Sequence, residues 1–253
     1  MASRAWIGTS GWIYKHWRGC IFEPGFAQRR WLGRMAELFD TVEVNTSFYR
    51  IPAPTSVQAW VRNTPDEFLF ALKLWRGITH YRKLLNAADL TERFLISAEA
   101  VPPNRRAPLL IQLPPRQKPD LPKLEAYVHE FRHLSGNSWR IAVEFREDSW
   151  LVPATYELLD RIEVALCIHD MHGKAATEQV NATPFVYIRR HGSSHQLYAG
   201  SYSPEAIQRD AERIRGWMAE GRDVYVYYNN DIGGHAFHNA LDLRAAVNAV
   251  RAA

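Results

Sequence analysis

Eight short apolar segments, most of them followed by a stretch with helical periodicity, constrain this chain more than any other feature. They span residues 6–9, 42–45, 68–73, 109–113, 140–146, 164–170, 185–191 and 223–230. Runs this short, rich in β-branched and aromatic residues and bounded by turn formers, have the length and punctuation of strands. Between them lie apolar stripes at helical spacing: Trp31, Leu32, Met35, Leu38 and Phe39; Leu124, Tyr127, Val128, Phe131 and Leu134; Ile207, Ala211, Ile214 and Met218. Thr55 and Ser203 stand as helix N-caps, the latter before Pro204, and Gly221 stops the helix that carries Trp217. Strand and helix in alternation call for a parallel sheet. Eight such units close a (β/α)8 TIM barrel, which typically takes ~250 residues.

The chain has 253 residues, so the expectation is an α/β fold, one TIM-barrel domain over residues 1–253. A doubly wound open sheet uses the same alternation and is the lesser alternative, because no glycine-rich dinucleotide fingerprint follows any strand. Two connections depart from the ideal. Residues 171–184 are too few and too polar for a full helix, so a reduced helix is expected after strand six. Residues 74–86 form a long basic connection, and long connections in compact domains are usually functional or mobile.

No apolar run is long enough to span a bilayer, and the first residues lead into a strand-like segment rather than a signal-peptide core. A cytoplasmic protein with no membrane partner is therefore expected. Cys20 and Cys167 lack metal spacing and fit small apolar packing in a reducing compartment better than a bridge. A net charge of +4 permits an anionic partner without requiring one.

Strand parity locates the chemistry. In a closed parallel barrel the large apolar residues of each strand face the helices and the alternate residues face inward. Val42 and Val44 outside send Glu43 and Asn45 inside. Phe70 and Leu72 leave Lys73 inside, and Ile141, Val143 and Phe145 leave Ala142, Glu144 and Arg146 inside. The same rule turns Gln112, His169, Arg189, His191, Tyr227 and Asn229 inward. These polar residues gather at the C-terminal ends of their strands, the rim where barrel active sites lie. Glu43, Glu144 and His191 are the candidate catalytic groups, the two carboxylates as a general acid and base on either side of a substrate. Asn45, Lys73, Gln112, Arg146, Arg189, Asn229, Asn230, Trp12, Tyr14 and His80 are the candidate substrate-binding groups. Lys73, Arg146 or Arg189 neutralising the carboxylates is the competing, purely structural reading. His169-Asp170 and His191 lack the spacing of a metal motif, so no metal ligands are assigned, while a divalent metal stays open as a cofactor.

The loops at that rim tilt positive, with Arg76, His80, Arg82 and Lys83 after strand three, Arg116 and Lys118 after strand four, and Arg190 beside Arg189. Such a concave basic lining focuses anions, and an arginine fork suits phosphate or carboxylate. Trp12, Tyr14, Trp75 and Tyr228 interleave flat rings that suit a base or a sugar face. Trp17 and Trp150 are expected to seal loops instead.

Laid out in this way, the chain resembles the YecE-like family, the domain-of-unknown-function-72 family of TIM-barrel proteins, nearly end to end. The resemblance rests on Gly8-Thr9-Ser10-Gly11-Trp12 with Tyr14 and Trp17, Val42-Glu43-Val44-Asn45 with Phe48-Tyr49 and Pro52, and Phe70-Ala71-Leu72-Lys73 with Thr79-His80. It continues through Gln112-Leu113-Pro114-Pro115, Ala142-Val143-Glu144-Phe145-Arg146 with Ser149-Trp150, Arg189-Arg190-His191-Gly192, and Tyr228-Asn229-Asn230-Asp231 with Gly234, Ala236, Asn239 and Ala240. It implies a TIM barrel with a shared polar mouth and supplies no established reaction. The family more often has a different residue beside the strand-end arginine, which leaves the role of Arg190 open.

The leading expectation is an enzyme, a hydrolase or lyase using general acid and base catalysis, acting on an anionic, phosphate-bearing sugar or nucleotide-like substrate at the barrel mouth. A non-catalytic binder of nucleic acid or another polyanion through the same rim is the alternative from a different class, and a metal-assisted hydrolase is the third.

Overall fold

The structure is a computed structural model and describes residues 3–171, 177–194 and 196–249. All eight expected strands form: β1 (Ala5–Thr9), β2 (Thr41–Val44), β3 (Leu69–Leu72), β4 (Leu109–Gln112), β5 (Ile141–Glu144), β6 (Ala165–His169), β7 (Phe185–Arg190) and β8 (Asp223–Tyr228). Six of them build a curled parallel half-barrel sheet in the order β1-β8-β7-β6-β5-β4, and β2 and β3 pair parallel in a two-stranded sheet. Single parallel bridges run between the two sheets, Ser10 with Glu43 on one side and Lys73 with Leu110 and Phe70 with Arg106 on the other. Gly8 belongs to the first of these junctions. A Cβ there would lie 2.2 Å from the backbone oxygen of Thr41, so only glycine lets β1 approach β2 this closely.

The observed strands are shorter than the apolar runs at their C-terminal ends. Asn45 has helical backbone angles and opens α2 (Thr46–Tyr49), and β5 stops at Glu144, which leaves Arg146 in the connection that follows. Both residues remain at the strand-end rim. The chain leaves the sheet there because the connections must turn outward to reach the helix layer.

Parity divides the buried side chains into two clusters. One holds Ile7, Val42, Val44, Phe70, Leu72, Ile141, Val143, Ile188 and Val226 together with the helix faces. The other holds Leu69, Ala71, Leu110, Ala142, Cys167, Tyr187, Tyr225 and Tyr227 on the concave side. Small and aromatic residues fill the concave cluster, and the polar groups stand above it.

The helices form where an apolar stripe meets a good start. In α5 (Leu121–Leu134) the side chain of Asp120 accepts from the Lys123 N–H at 3.1 Å, and Leu124, Tyr127, Val128 and Phe131 are buried. In α7 (Pro204–Ala219) Ser203 accepts from the Ala206 N–H at 3.3 Å, Pro204 takes the first position, and Ile207, Ala211, Ile214 and Trp217 are buried. Trp217 turns further inward than the half-buried Met218. Gly221 follows with a φ of +86°, the left-handed turn that ends such a helix. Thr55 is not a cap: Ala53 holds that position and α3 (Pro54–Arg62) starts two residues earlier than a Thr55 cap would set it, because the fixed φ of Pro54 already suits a first helical turn.

Residues 170–171 and 177–184, the described parts of the connection from β6 to β7, carry no helix; residues 172–176 lie outside the described residues. The basic connection after β3 is folded rather than open. Leu74, Ile78 and Leu84 are buried, and residues Gly77–Tyr81 make one wide π-helical turn. No helix among the described residues is long and apolar enough to cross a membrane. Cys20 is exposed, Cys167 is buried, and both are free thiols.

Candidate functional site

Three strands deliver charge to one point at the C-terminal ends. Glu43 from β2, Glu144 from β5 and Arg189 from β7 are all wholly buried, and the guanidinium binds both carboxylates. Arg189 Nε and Nη2 donate to Glu43 at 3.0 and 2.8 Å, and Nη1 donates to Glu144 at 2.6 Å. Arg146 pairs with the second oxygen of Glu144. Ser10 donates its hydroxyl proton to Glu43, and Tyr187 donates to the same carboxylate at 2.7 Å. Charges out of water survive only with this degree of pairing and hydrogen bonding.

Above this cluster opens a cavity of about 290 Å³, which is near the lower end of small-molecule sites. Of the residues expected from sequence, Trp12, Tyr14, Asn45, Lys73, Gln112, Arg146, Arg189 and Asn229 border it. Glu43, Glu144 and His191 do not reach its wall; they lie buried among the residues that do. Asn230 and His80 are also outside it. Asn230 Nδ2 donates to Gly200 O and to Asn239 Oδ1, both at 2.9 Å, and so ties loops together. The ring of His80 bonds Thr79 Oγ1 at 2.8 Å and stands edge-on to Phe48.

The electrostatics follow from burial and neighbours. Burial alone would raise the Glu144 carboxyl, but Arg146 and Arg189 overcome it and hold the group well below its ordinary range, so it stays ionised. Burial, then Arg189 and Arg146, push His191 well below the usual imidazole range, and burial also lowers His169. Both rings are therefore neutral. His80 is pushed down to about 4 by burial and by Lys73. Lys73 falls to about 7 through burial and the nearby Arg189. Burial and then the nearby Asp231 raise the Tyr14 phenol, and burial raises Asp231.

Glu144, His169 and His191 present ligand atoms within 4.8 Å of one another, the one metal-like grouping among the described residues. Its coordination directions are already used. Arg146 and Arg189 lie 3.4 and 3.5 Å from His191 Nε2, and His169 Nε2 bonds the Phe145 carbonyl at 2.8 Å. A divalent ion here would join two guanidiniums, so the donor set does not suit one.

Two of the basic residues at the rim are paired with carboxylates. Arg190 points away from the cavity, binding Asp210 at 2.8 and 2.5 Å and Glu178 at 3.0 Å, which gives this residue a structural role on the helix side. Lys118 pairs with Glu147 at 2.6 Å. The Arg76 guanidinium lies over the rings of Tyr49 and Tyr81. Trp17 and Trp150 are buried and donate to the carbonyls of Asp231 at 2.9 Å and Gln117 at 2.7 Å, so both fasten loops as expected.

Sequence reasoning did not select Ser10, Tyr187, Tyr49, Tyr198 or Asp231. Ser10 and Tyr187 are Glu43 partners whose hydroxyls meet it only through strand register, while Tyr49, Tyr198 and Asp231 reach the cavity from loops and a short helix. Parity signals none of the last three, although Tyr187 shares the inward phase of Arg189.

Residues 6–253 match the family model described as protein of unknown function DUF72. The chain is 26% identical over 270 residues to the UPF0759 protein YunF of Bacillus subtilis (strain 168), covering 94% of this chain and 93% of that one. It is 32% identical over 120 residues to the UPF0759 protein YecE of Escherichia coli (strain K12), covering 46% of this chain and 41% of that one. Among solved structures it is similar to a DUF72 family protein from Thermotoga maritima MSB8, with a TM-score of 0.84 and 25% identity over 97% of this chain and 99% of that one. With a family match over nearly its whole length and the same fold in a solved member, this chain belongs to the DUF72 family.

Proposed function

We propose that the protein is an enzyme that binds a small phosphate-bearing substrate of sugar or nucleotide-like character in the cavity at the strand ends. The two sheets, bridged on both sides, close in this reading into one eight-stranded barrel with the cavity as its mouth, a single domain working in the cytoplasm. One observation carries the substrate class. Arg146 and Lys73 border the cavity, both more than nine-tenths buried, and Arg146 Nε is a buried donor with no acceptor among the described residues. A buried donor left unpaired costs roughly 1–3 kcal/mol, and an anion oxygen would relieve it once the guanidinium turns toward the cavity that Arg146 borders.

In this reading Lys73 and Arg146 hold the anion, with Arg189 beneath them. Asn45, Gln112 and Asn229 orient the polar part of the substrate, and Trp12, Tyr14, Tyr49 and Tyr198 supply ring faces. Glu43, Glu144 and His191 act through the arginines rather than on the substrate, because each is buried and Glu144 is held ionised. Proton transfer falls to groups at the wall.

A thermal-shift screen over sugar phosphates, nucleotides, oligonucleotides and divalent metals tests the proposal. A phosphorylated sugar at a hundred times its Kd adds about 2.7 kcal/mol of stability, and that shift is to be lost in Arg146→Gln. A shift from oligonucleotides alone supports the polyanion reading instead, which the paired state of Arg190 and Lys118 disfavours. A shift from divalent metals alone supports the metal-assisted hydrolase.

A further inference from the structure

Lys73 differs from the other cations of the site in what it lacks. Among the described residues no carboxylate comes within 4.0 Å of its ammonium. Its Nζ lies 3.4 Å from Asn45 Oδ1 and 4.1 Å from the centre of the Phe48 ring. Its main chain, by contrast, is fixed on both sides. The Lys73 N–H donates to Ser47 Oγ at 3.1 Å, the Ser47 hydroxyl donates to Lys73 O at 2.7 Å, and the residue bridges to Leu110 of β4. A well-anchored main chain therefore carries the amine to the cavity wall, where it meets Asn45 Oδ1 and the Phe48 ring but no carboxylate partner among the described residues.

The charges that face it explain why. Glu43 and Glu144 are matched by Arg189 and Arg146, so the buried cluster is already balanced before Lys73 is counted. A further positive charge in so little water is surplus. Burial, Arg189 and Arg146 favour the free amine, Glu144 and Glu43 oppose them, and His80 is neutral, with the balance at about 7. An amine desolvated beside cations is the usual form of a nucleophilic lysine.

We propose that Lys73 is the nucleophile of this site and takes a carbonyl compound bearing a phosphate or carboxylate as an imine on its Nζ, an inference that rests on the small-anion reading above. The Nζ lone pair adds to the carbonyl carbon, the C=O electron pair moves to oxygen, and that oxygen receives the proton that Nζ gives up. The carbinolamine then takes one proton from solvent and expels water, leaving a protonated C=N. That cation takes up the electron pair of a C–C bond breaking at the adjacent carbon, and the far carbon leaves as an aldehyde as its hydroxyl gives a proton to solvent. The enamine left behind is protonated on carbon, and water hydrolyses the imine to free Nζ, which is the chemistry of a lyase. Arg146 holds the anionic end while Asn45 orients the amine.

The chain contains six lysines, Lys15, Lys73, Lys83, Lys118, Lys123 and Lys174, so an adduct can be mapped without ambiguity. The full-length protein is incubated with glycolaldehyde phosphate and sodium cyanoborohydride, with glycolaldehyde as the uncharged control, and peptides are read by mass spectrometry. At pH 7 the reduced adduct is expected on Lys73 at least about tenfold faster than on any other lysine, since ordinary lysines titrate near 10.4. Its rate is expected to level off above about pH 7. Loss of this adduct in Lys73→Arg, with the other sites unchanged, supports the assignment. Labelling spread over the exposed lysines, or none on Lys73, overturns the imine. If inorganic phosphate then still raises the Tm of the wild type but not of Arg146→Gln, the small-anion reading stands alone; if it raises neither, both fail.

Discussion

Arg189 meets Glu43 side-on, with Nε 3.0 Å from one carboxylate oxygen and Nη2 2.8 Å from the other, and neither residue is exposed to solvent. The same guanidinium reaches Glu144 at 2.6 Å, so β7 is tied at once to β2 and β5. Residues far apart in sequence thus form one charge-balanced floor, and the cavity's chemistry depends on its balance.

Removing Arg189 alone is expected to be costly. Arg189→Met leaves Glu43 without its guanidinium and Glu144 with only Arg146, and breaking a buried pair in this way typically costs about 3–5 kcal/mol. Adding Glu43→Gln to that variant, which leaves Glu144 paired with Arg146 alone, is expected to recover part of the loss. Urea midpoints measure both; a single variant within about 1 kcal/mol of the wild type would show that the pair contributes little.

Acid should act in two stages. His191, His169 and His80 all have lowered folded pKa values, so the unfolded chain binds more protons and stability begins to fall below about pH 6.5. Glu144 is lowered as well, and its contribution, present above its unfolded value of about 4.3, is lost as pH falls further. His191→Asn is expected to flatten the first limb and Glu144→Gln the second in stability curves from pH 7 to 3. An unchanged first limb in His191→Asn means that this ring is charged in the fold.

Much of this architecture was legible in the sequence, and the physical reason is periodicity. Val42, Val44, Ile141 and Val143 announce their outward phase, and Glu43 and Glu144 follow as inward residues. The strand-like pattern runs past the observed strand ends at Asn45 and Arg146, because side-chain character continues past the last ladder hydrogen bond. The parity rule also placed Glu43, Glu144 and His191 on the inner face without showing how deep they sit. Depth depends on which cation each one meets; strand alternation turns Arg189 and Arg190 to opposite faces, but no local pattern encodes that Arg189 serves both Glu43 and Glu144 or that Arg190 meets Asp210. Tyr198 reaches the cavity from a loop position with a φ of +63°, a conformation that its residue type does not suggest.

Lys73 should cost the fold stability at neutral pH. Its amine titrates near 7 in the fold and near 10.4 in the unfolded chain, so the unfolded state binds more protons between those values and stability falls as pH drops from about 10 to 7. Lys73→Met is therefore expected to be more stable than the wild type at pH 7, by on the order of a kcal/mol or more, while losing anion binding. Urea unfolding at pH 7 and pH 10 checks the sign, and a Met variant that is less stable at pH 7 would contradict the surplus-charge account.

The most direct test of the small-anion site is a crystal structure of the protein soaked with glycerol 3-phosphate. The phosphate is expected inside the cavity, within hydrogen-bond distance of the Arg146 guanidinium and Lys73 Nζ, with the glycerol carbons against Trp12 or Tyr198. A phosphate found only on rim side chains such as Arg82 or Arg116, with the cavity holding water alone, would contradict it.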